Sequence, residues 1–156
     1  FVLAEIAVSA FLTFVAADLG CLFGPAVVLW LQRRGVDLID ARRWTFTLGA
    51  VLMTGMLFVG TVESAWAAVA LLSLGGFAHQ TLSVTVITMA SDLFRRDELG
   101  TVAGLAGTCA NASILIFSLL MGSLVASIGY TPFFIALGLL DLVAAAVLWT
   151  LVRKPA

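Results

Sequence analysis

Long apolar stretches separated by short polar segments dominate the pattern of hydrophobic and polar positions. Three of them run over about 6–31, 44–62 and 65–90, and a fourth covers 42 residues without a formal charge, from Leu99 to Leu140. One helix crosses the hydrocarbon core with roughly 20 residues. The Gly and Pro of SIGYTP (127–132) mark a turn, so the fourth stretch predicts two helices, about 100–126 and 131–152. The pattern predicts an all-α integral membrane protein with five transmembrane helices.

Composition supports a membrane protein. The chain has 156 residues, of which 62% are hydrophobic and 11% are charged. Soluble domains have roughly 45–50% apolar and about 25% charged residues. The chain begins with Phe1 rather than Met and is predicted to cross the bilayer an odd number of times. We therefore expect it to be a partial transmembrane domain, residues 1–156, of a longer protein.

The positive charges predict an orientation. The eight basic residues are Arg33, Arg34, Arg42, Arg43, Arg95, Arg96, Arg153 and Lys154. They fall in the first loop, the third loop and the C-terminal tail, whereas the second loop carries only Glu63 and the fourth no charge. Lys and Arg concentrate in cytoplasmic loops. We expect the N-terminus of the chain outside and the C-terminus in the cytoplasm.

Common catalytic and metal-binding motifs are missing from the sequence. It contains no HExxH, G-x-S-x-G or G-x-x-x-x-G-K-[ST] motif, and its one histidine cannot build a multi-histidine metal site. The basic pairs are short loop anchors and do not form a nucleic-acid surface. We expect no enzyme activity, no cofactor or metal, and no nucleic-acid partner.

Polar residues inside the third span are candidate functional groups, because polar groups in hydrocarbon are costly without a partner or water. At about 100° per residue, His79 and Ser83 share one face and Gln80 lies beside them. The threonines on a roughly opposite stripe are Thr81, Thr85 and Thr88. Their hydroxyls are expected to bond to carbonyls of their own helix. His79 and Gln80 hold several donors and acceptors, which favours a polar cavity over a dry core.

The fourth span carries a stripe of small residues, Gly100, Gly104 and Gly107, that leads to Asn111. Small residues let helix backbones approach closely, so we expect the glycines to pack tightly. Asn111 lies near the middle of the membrane, where it either holds two helices together or binds a ligand. Thr108 supports either role.

Two carboxylates lie near the middle of predicted helices. Asp18 is either a proton site or a structural residue that hydrogen-bonds to a neighbouring helix. For Asp141 the sequence offers no obvious partner.

Several motifs together resemble the C-terminal half of the anion:cation symporter family of the major facilitator superfamily, nearest to hexuronate and other sugar-acid transporters. They are AHQ (78–80) with Ser83, SDLF (91–94), the G-x-x-x-G at 100–104, FVAADLGCLFG (14–24), QRRG (32–35), ARR (41–43) and GLAGTCAN (104–111). The likeness covers nearly the whole chain, as helices 8–12 of a twelve-helix fold.

The resemblance implies proton-coupled import of an organic anion across the inner membrane by alternating access. The positions that match the family's substrate contacts are His79, Gln80, Ser83, Thr85, Thr108 and Asn111. Partners would be the anion, protons, the lipid bilayer and the N-terminal half of the same transporter. In the family, that half carries the arginine that holds the substrate carboxylate and the main proton-carrying acids.

Several positions depart from the family pattern. Gly24-Pro25 replaces a pair of glycines, Leu29 and Trp30 replace a polar residue and an arginine, and Leu82 replaces a tryptophan. Because of these changes, the resemblance does not identify the exact substrate. The alternatives are a major facilitator permease for a drug or aromatic acid, and a membrane subunit that does not transport.

Overall fold

The computed structural model describes residues 3–152. Its helices are α1 (Leu3–Arg33), α2 (Leu38–Met53), α3 (Ala65–Leu93), α4 (Leu99–Ile128) and α5 (Thr131–Leu151), with a 3₁₀ segment (Thr54–Thr61) that continues α2. Counting α2 with its 3₁₀ segment as one, the described part contains five helices long and apolar enough to cross a membrane. The predicted fold class is confirmed. The second span starts earlier than expected, at Leu38, so Arg42 and Arg43 lie within its first turns. Arg153 and Lys154 lie outside the described residues.

Helix α3 is the centre of the bundle, and its closest contact is with α1. A Cβ atom added at Gly20 would collide with the backbone carbonyl of Phe77, and one at Gly24 would lie 3.3 Å from the Thr81 carbonyl oxygen. Two residues without side chains, one turn apart, therefore let the backbones meet. The Thr81 hydroxyl lies 2.9 Å from the Phe77 oxygen and 3.2 Å from the Gly20 oxygen. It thereby joins the two helices.

A polar cluster ties the first turns of α2 to the last turns of α3. The Arg42 Nε donates to Asp92 Oδ2 at 2.7 Å, and its Nη1 donates to Thr88 Oγ1 at 2.6 Å. Both charged side chains are largely shielded, with 13% and 19% of the side chain exposed. A largely shielded, charge-assisted pair of this kind is stronger than an exposed one. It fixes the register of the two helices at this end.

In the 3₁₀ segment, side chains three residues apart lie directly above one another, because three residues complete one turn. Each such row of side chains runs straight along the helix. Met56 and Val59 are both buried, and Met56 packs against α3 at Gly75. Leu57 and Gly60, also three apart, face α5. The 3₁₀ segment therefore contacts α3 with one row of residues and α5 with another.

Helix α4 is the least enclosed element. None of its residues is buried, and its contacts with α3 and α5 are among the sparsest between elements. A Cβ atom added at Gly100, Gly104 or Gly107 would meet no atom within 4 Å. The expectation that these glycines pack tightly is therefore wrong for the part of the chain that the structure describes. No described backbone approaches this side of α4.

Gly20→Ala should lower the stability of the protein, because the new methyl group must push α1 away from the Phe77 carbonyl. Overpacking of this kind costs about 1–3 kcal/mol. The matched control is Gly76→Ala in the same interface, where an added Cβ would meet Thr13 at an ordinary 3.4 Å. Thermal unfolding of the complete protein in detergent measures both variants. Equal melting temperatures for the two would contradict the described contact.

Candidate functional site

A cavity of about 510 Å³ opens between α3, α4 and α5, with Phe46 of α2 on one side. Its polar lining comes from His79 and Ser83 of α3 and Asp141 of α5. The wall from α4 consists of small and apolar residues, among them Gly107 and Ala110. The cavity therefore combines a few convergent polar groups with an apolar surround, which is the usual composition of a small-molecule site.

The two ionisable groups of the cavity each lie halfway along a helix. His79 is the central residue of α3 and Asp141 is the central residue of α5, so both are placed near the middle of a membrane-spanning helix. Both side chains line the same cavity. Within residues 3–152, neither makes a hydrogen bond that would satisfy its polar atoms. Asp141, for which the sequence offered no partner, thus faces a histidine 62 positions earlier in the chain.

Gln80 and Thr85 are not among the residues that line this cavity. Gln80 is half-buried and lies about 100° around the helix from His79. Thr85 is 1% exposed, and its hydroxyl lies 3.3 Å from a Cβ position at Gly24 of α1. Six residues after His79 the helix has turned by about 240°. Thr85 therefore faces the α1 contact and does not line the cavity.

The hydroxyls of the threonine stripe are satisfied inside α3, as the sequence predicts. Thr81 donates to Phe77 O at 2.9 Å, Thr85 to Thr81 O at 2.6 Å, and Thr88 to Val84 O at 2.6 Å. This expectation is confirmed. The stripe belongs to helix packing, and the groups left for a ligand are on the other faces.

Thr108 and Asn111 lie on the exposed surface of α4, outside the residues that line the cavity. The Thr108 hydroxyl donates to Gly104 O at 2.9 Å, and the Asn111 amide donates to Gly107 O at 2.8 Å. Both bonds stay within α4. Among the described residues, Asn111 does not hold two helices together, and its oxygen and second donor stay open to a ligand or to another chain segment.

Asp18 also lies outside the cavity. It is the central residue of α1 and is exposed. In the described part of the chain it forms no hydrogen bond or ion pair, so the structural role that the sequence allowed for it is not realised there. Residues 3–152 also contain no group of three His, Cys, Asp or Glu side chains that could hold a metal ion.

Comparison with known proteins gives consistent matches. The family model of the Major Facilitator Superfamily matches residues 3–156. A hexuronate transporter of Escherichia coli strain K12 is 44% identical over 158 residues, covering 100% of this chain and 37% of the relative; one from Escherichia coli O157:H7 matches equally. A galacturonate transporter of Dickeya chrysanthemi is 39% identical over 71 residues, which is 45% of this chain and 21% of that protein. The chain thus spans little more than a third of the length of the hexuronate transporters that it matches.

Cysteine labelling should separate the cavity face of α3 from its packed face. In a background where Cys21 and Cys109 are replaced by Ala, Ser83→Cys should react with a small water-soluble thiol reagent. Thr85→Cys should react at least about ten-fold more slowly, because a thiol must be exposed and ionised to the thiolate before it reacts. Mass spectrometry of the labelled protein gives both rates. Faster labelling at position 85 than at position 83 would contradict the assignment of faces.

Proposed function

The chain belongs to the Major Facilitator Superfamily, and on that premise we propose that it is the C-terminal part of a transporter that imports a sugar acid, such as a hexuronate, together with protons. The observation that carries the proposal is the 44% identity, over the full length of the chain, to proteins named hexuronate transporters. The protein would act as a carrier and not as an enzyme. Its five helices would be helices 8–12 of a twelve-helix fold.

The chain is a multi-pass membrane protein, and its charges support one orientation in the inner membrane. Arg42 and Arg43 lie in the first turns of α2, and Arg95 and Arg96 follow α3, so these basic pairs are at the same end of the bundle. Under the positive-inside rule that end is cytoplasmic. The N-terminus of the chain would then lie outside. The polar cluster of Arg42, Asp92 and Thr88 would close the cytoplasmic end of the pair formed by α2 and α3.

The proposed mechanism is alternating access around a site near the bilayer midplane. In transporters of this type the substrate lies between two halves that rock against each other. From this chain, His79 and Ser83 would contribute through the cavity, and Gln80 and Asn111 would offer amide groups at a similar depth. Sugar hydroxyls would bind these donors and acceptors. The remaining half of the site, including the group that holds the carboxylate, would come from the N-terminal half of the transporter.

Two of the substrate-contact residues predicted from the sequence are weaker candidates for the proposed site. Thr85 is left out of the proposed site because its hydroxyl is used within α3 and its side chain faces α1. Thr108 is kept only as an acceptor, since its proton is donated to Gly104. The proposed contacts are therefore His79, Gln80, Ser83, Asn111 and, through its lone pairs, Thr108.

Uptake assays with the complete protein test the substrate class. In cells lacking their own carriers, uptake of labelled glucuronate should be reduced by excess galacturonate or galactonate, and accumulation should vanish when the proton gradient is collapsed. Competition by an aromatic acid or a drug, without competition by sugar acids, would favour the alternative permease. Complete protein that reaches the membrane but takes up neither class would favour the non-transporting subunit.

Substitutions in the two amides test the site. Gln80→Leu and Asn111→Leu should each raise the KM for the sugar acid by about two- to ten-fold, the effect of losing one hydrogen bond worth about 0.5–1.5 kcal/mol. Thr85→Val, which removes a hydroxyl from the packed face of α3, should leave KM within about two-fold by the same scale. Unchanged KM in both amide variants would remove them from the site.

A further inference from the structure

Arg43 is a charged side chain whose surroundings the packing of the helices does not explain. It lies in the first turns of α2, and only 10% of its side chain is exposed. Its Nη1 donates to Asp40 Oδ1 at 3.1 Å. Its Nε is buried and has no hydrogen-bond partner among the described residues. A buried donor without an acceptor is costly, so we expect a group from outside residues 3–152 to supply the acceptor.

The guanidinium of Arg43 projects into the seam between α2 and α5. Its Cζ lies 5.2 Å from the ring centroid of Trp149, in the last turns of α5. The ring of Trp44 meets Trp149 edge-on, with 5.2 Å between the two ring centroids. The Trp149 Nε1 donates to Thr47 Oγ1 at 2.9 Å, which holds the indole against α2. These four residues, here called the Arg43 site, therefore join a shielded cation to two aromatic rings from two helices.

The position of the Arg43 site matches the headgroup level of a bilayer. It lies where α2 begins and α5 ends, at one end of the bundle. Trp44 and Trp149 are 54% and 38% exposed, and tryptophan is enriched where a membrane meets water. One and two turns further along α2, on the same face as Trp44, the exposed side chains are Leu48 and Val51. An apolar strip thus runs from the site toward the middle of the membrane.

We propose that the Arg43 site binds the phosphate of one anionic phospholipid. The lipid belongs to the leaflet at this end of the bundle, which is the cytoplasmic leaflet in the orientation proposed above. A phosphate oxygen is the acceptor that the Arg43 Nε lacks, and the planar guanidinium fork suits phosphate oxygens. The acyl chains lie along Leu48 and Val51. The proposal goes beyond solute transport and requires only that α2 and α5 cross the bilayer.

The charges at these two helix ends favour an anionic headgroup over a zwitterionic one. Asp37 and Asp40 are the acidic residues at the start of α2, and Arg43 lies just after them. Arg153 and Lys154 follow α5 in the sequence, outside the described residues, and no acidic residue follows them. Three basic residues against two acidic residues leave one net positive charge. Basic residues beside membrane helices attract anionic lipids.

The neighbouring arginine of α2 shows why Arg43 is singled out. The Nε and Nη1 of Arg42 donate to Asp92 and Thr88, so the bundle itself supplies acceptors for that guanidinium. The Arg43 Nε has no such acceptor in the described part of the chain.

A second arginine–tryptophan pair at the same end of the bundle provides a comparison. The Arg34 Cζ lies 4.9 Å from the ring centroid of Trp30. Both of these side chains are exposed, so water can hydrogen-bond to Arg34 without any lipid. Arg34 is therefore the rival location for a lipid that is attracted by charge and an aromatic ring alone.

Native mass spectrometry of the complete protein, titrated with phosphatidylglycerol or phosphatidylcholine, tests the site. We expect one phosphatidylglycerol to bind more tightly than phosphatidylcholine. Arg43→Gln should weaken that binding by about ten- to a hundred-fold, the effect of losing one hydrogen bond to a charged group. The matched controls are Arg34→Gln and Arg95→Gln, which remove the same charge from exposed residues. Each should stay within about two-fold, because exposed charges contribute little.

Photochemical cross-linking locates the bound lipid. Phosphatidylglycerol with a photoreactive group in an acyl chain should label the peptide that contains Leu48 and Val51, and the label should be lost in Arg43→Gln. If Arg43→Gln gives no folded protein, Arg43→Lys is the second variant. It keeps the charge but has no Nε donor or planar fork, so it should also lower the affinity.

The contrary outcomes are distinct. Equal affinity of the unaltered protein and Arg43→Gln, or of the unaltered protein and Arg43→Lys, would overturn the proposal. An equal loss in Arg34→Gln or Arg95→Gln would show a general attraction of charge and no built site. Equal binding of the two lipids would refute the anionic headgroup, and displacement of the lipid by excess inorganic phosphate would indicate a site for free anions. If the protein retains no lipid, water is the partner of the Arg43 Nε and the proposal fails. None of these measurements uses the transported solute, so they stand apart from the test of the proposed function.

Discussion

The close contact of α1 with α3 determines how the rest of the molecule is arranged. Because Gly20 has no side chain, the backbone of α1 reaches the carbonyl of Phe77, and the Thr81 hydroxyl then lies between the two helices. This contact fixes the rotation of α3 about its own axis. Once the threonine face is turned to α1, the opposite face, with His79 and Ser83, must point toward α4 and α5. The cavity exists where it does because of a contact on the other side of the helix.

The hydrocarbon environment separates polar groups that maintain structure from those available for chemistry. Backbone and hydroxyl groups in a membrane must find partners inside the protein, and the threonine hydroxyls of α3 do so within their own helix. Short side chains can reach the preceding carbonyl. The longer side chains of His79, Gln80 and Asp141 remain without hydrogen-bond partners among the described residues. Such groups at mid-membrane are expected to serve a solute or a further helix.

The sequence predicted the relations within each helix and missed those between helices. Hydrophobic periodicity gives the spans, and the angle of 100° per residue correctly places the threonines opposite His79. Asp141 and His79 are 62 positions apart, and Arg42 and Asp92 are 50 positions apart. No local sequence pattern indicates that the members of either pair come together. The glycines of α4 show the limit most clearly. A small-residue stripe indicates that a close neighbour is possible, but which helix supplies it depends on packing beyond the stripe itself.

The 3₁₀ segment also changes how far the second span reaches. An α-helix rises 1.5 Å per residue and a 3₁₀-helix about 2.0 Å, so the 24 residues of Leu38–Thr61 extend roughly 40 Å where a regular α-helix would extend about 36 Å. That length approaches the roughly 40–45 Å of a bilayer with its headgroups. Winding its last turns more tightly thus lets this helix cover, with few residues, the distance between the arginines at one surface and the loop of Glu63 at the other.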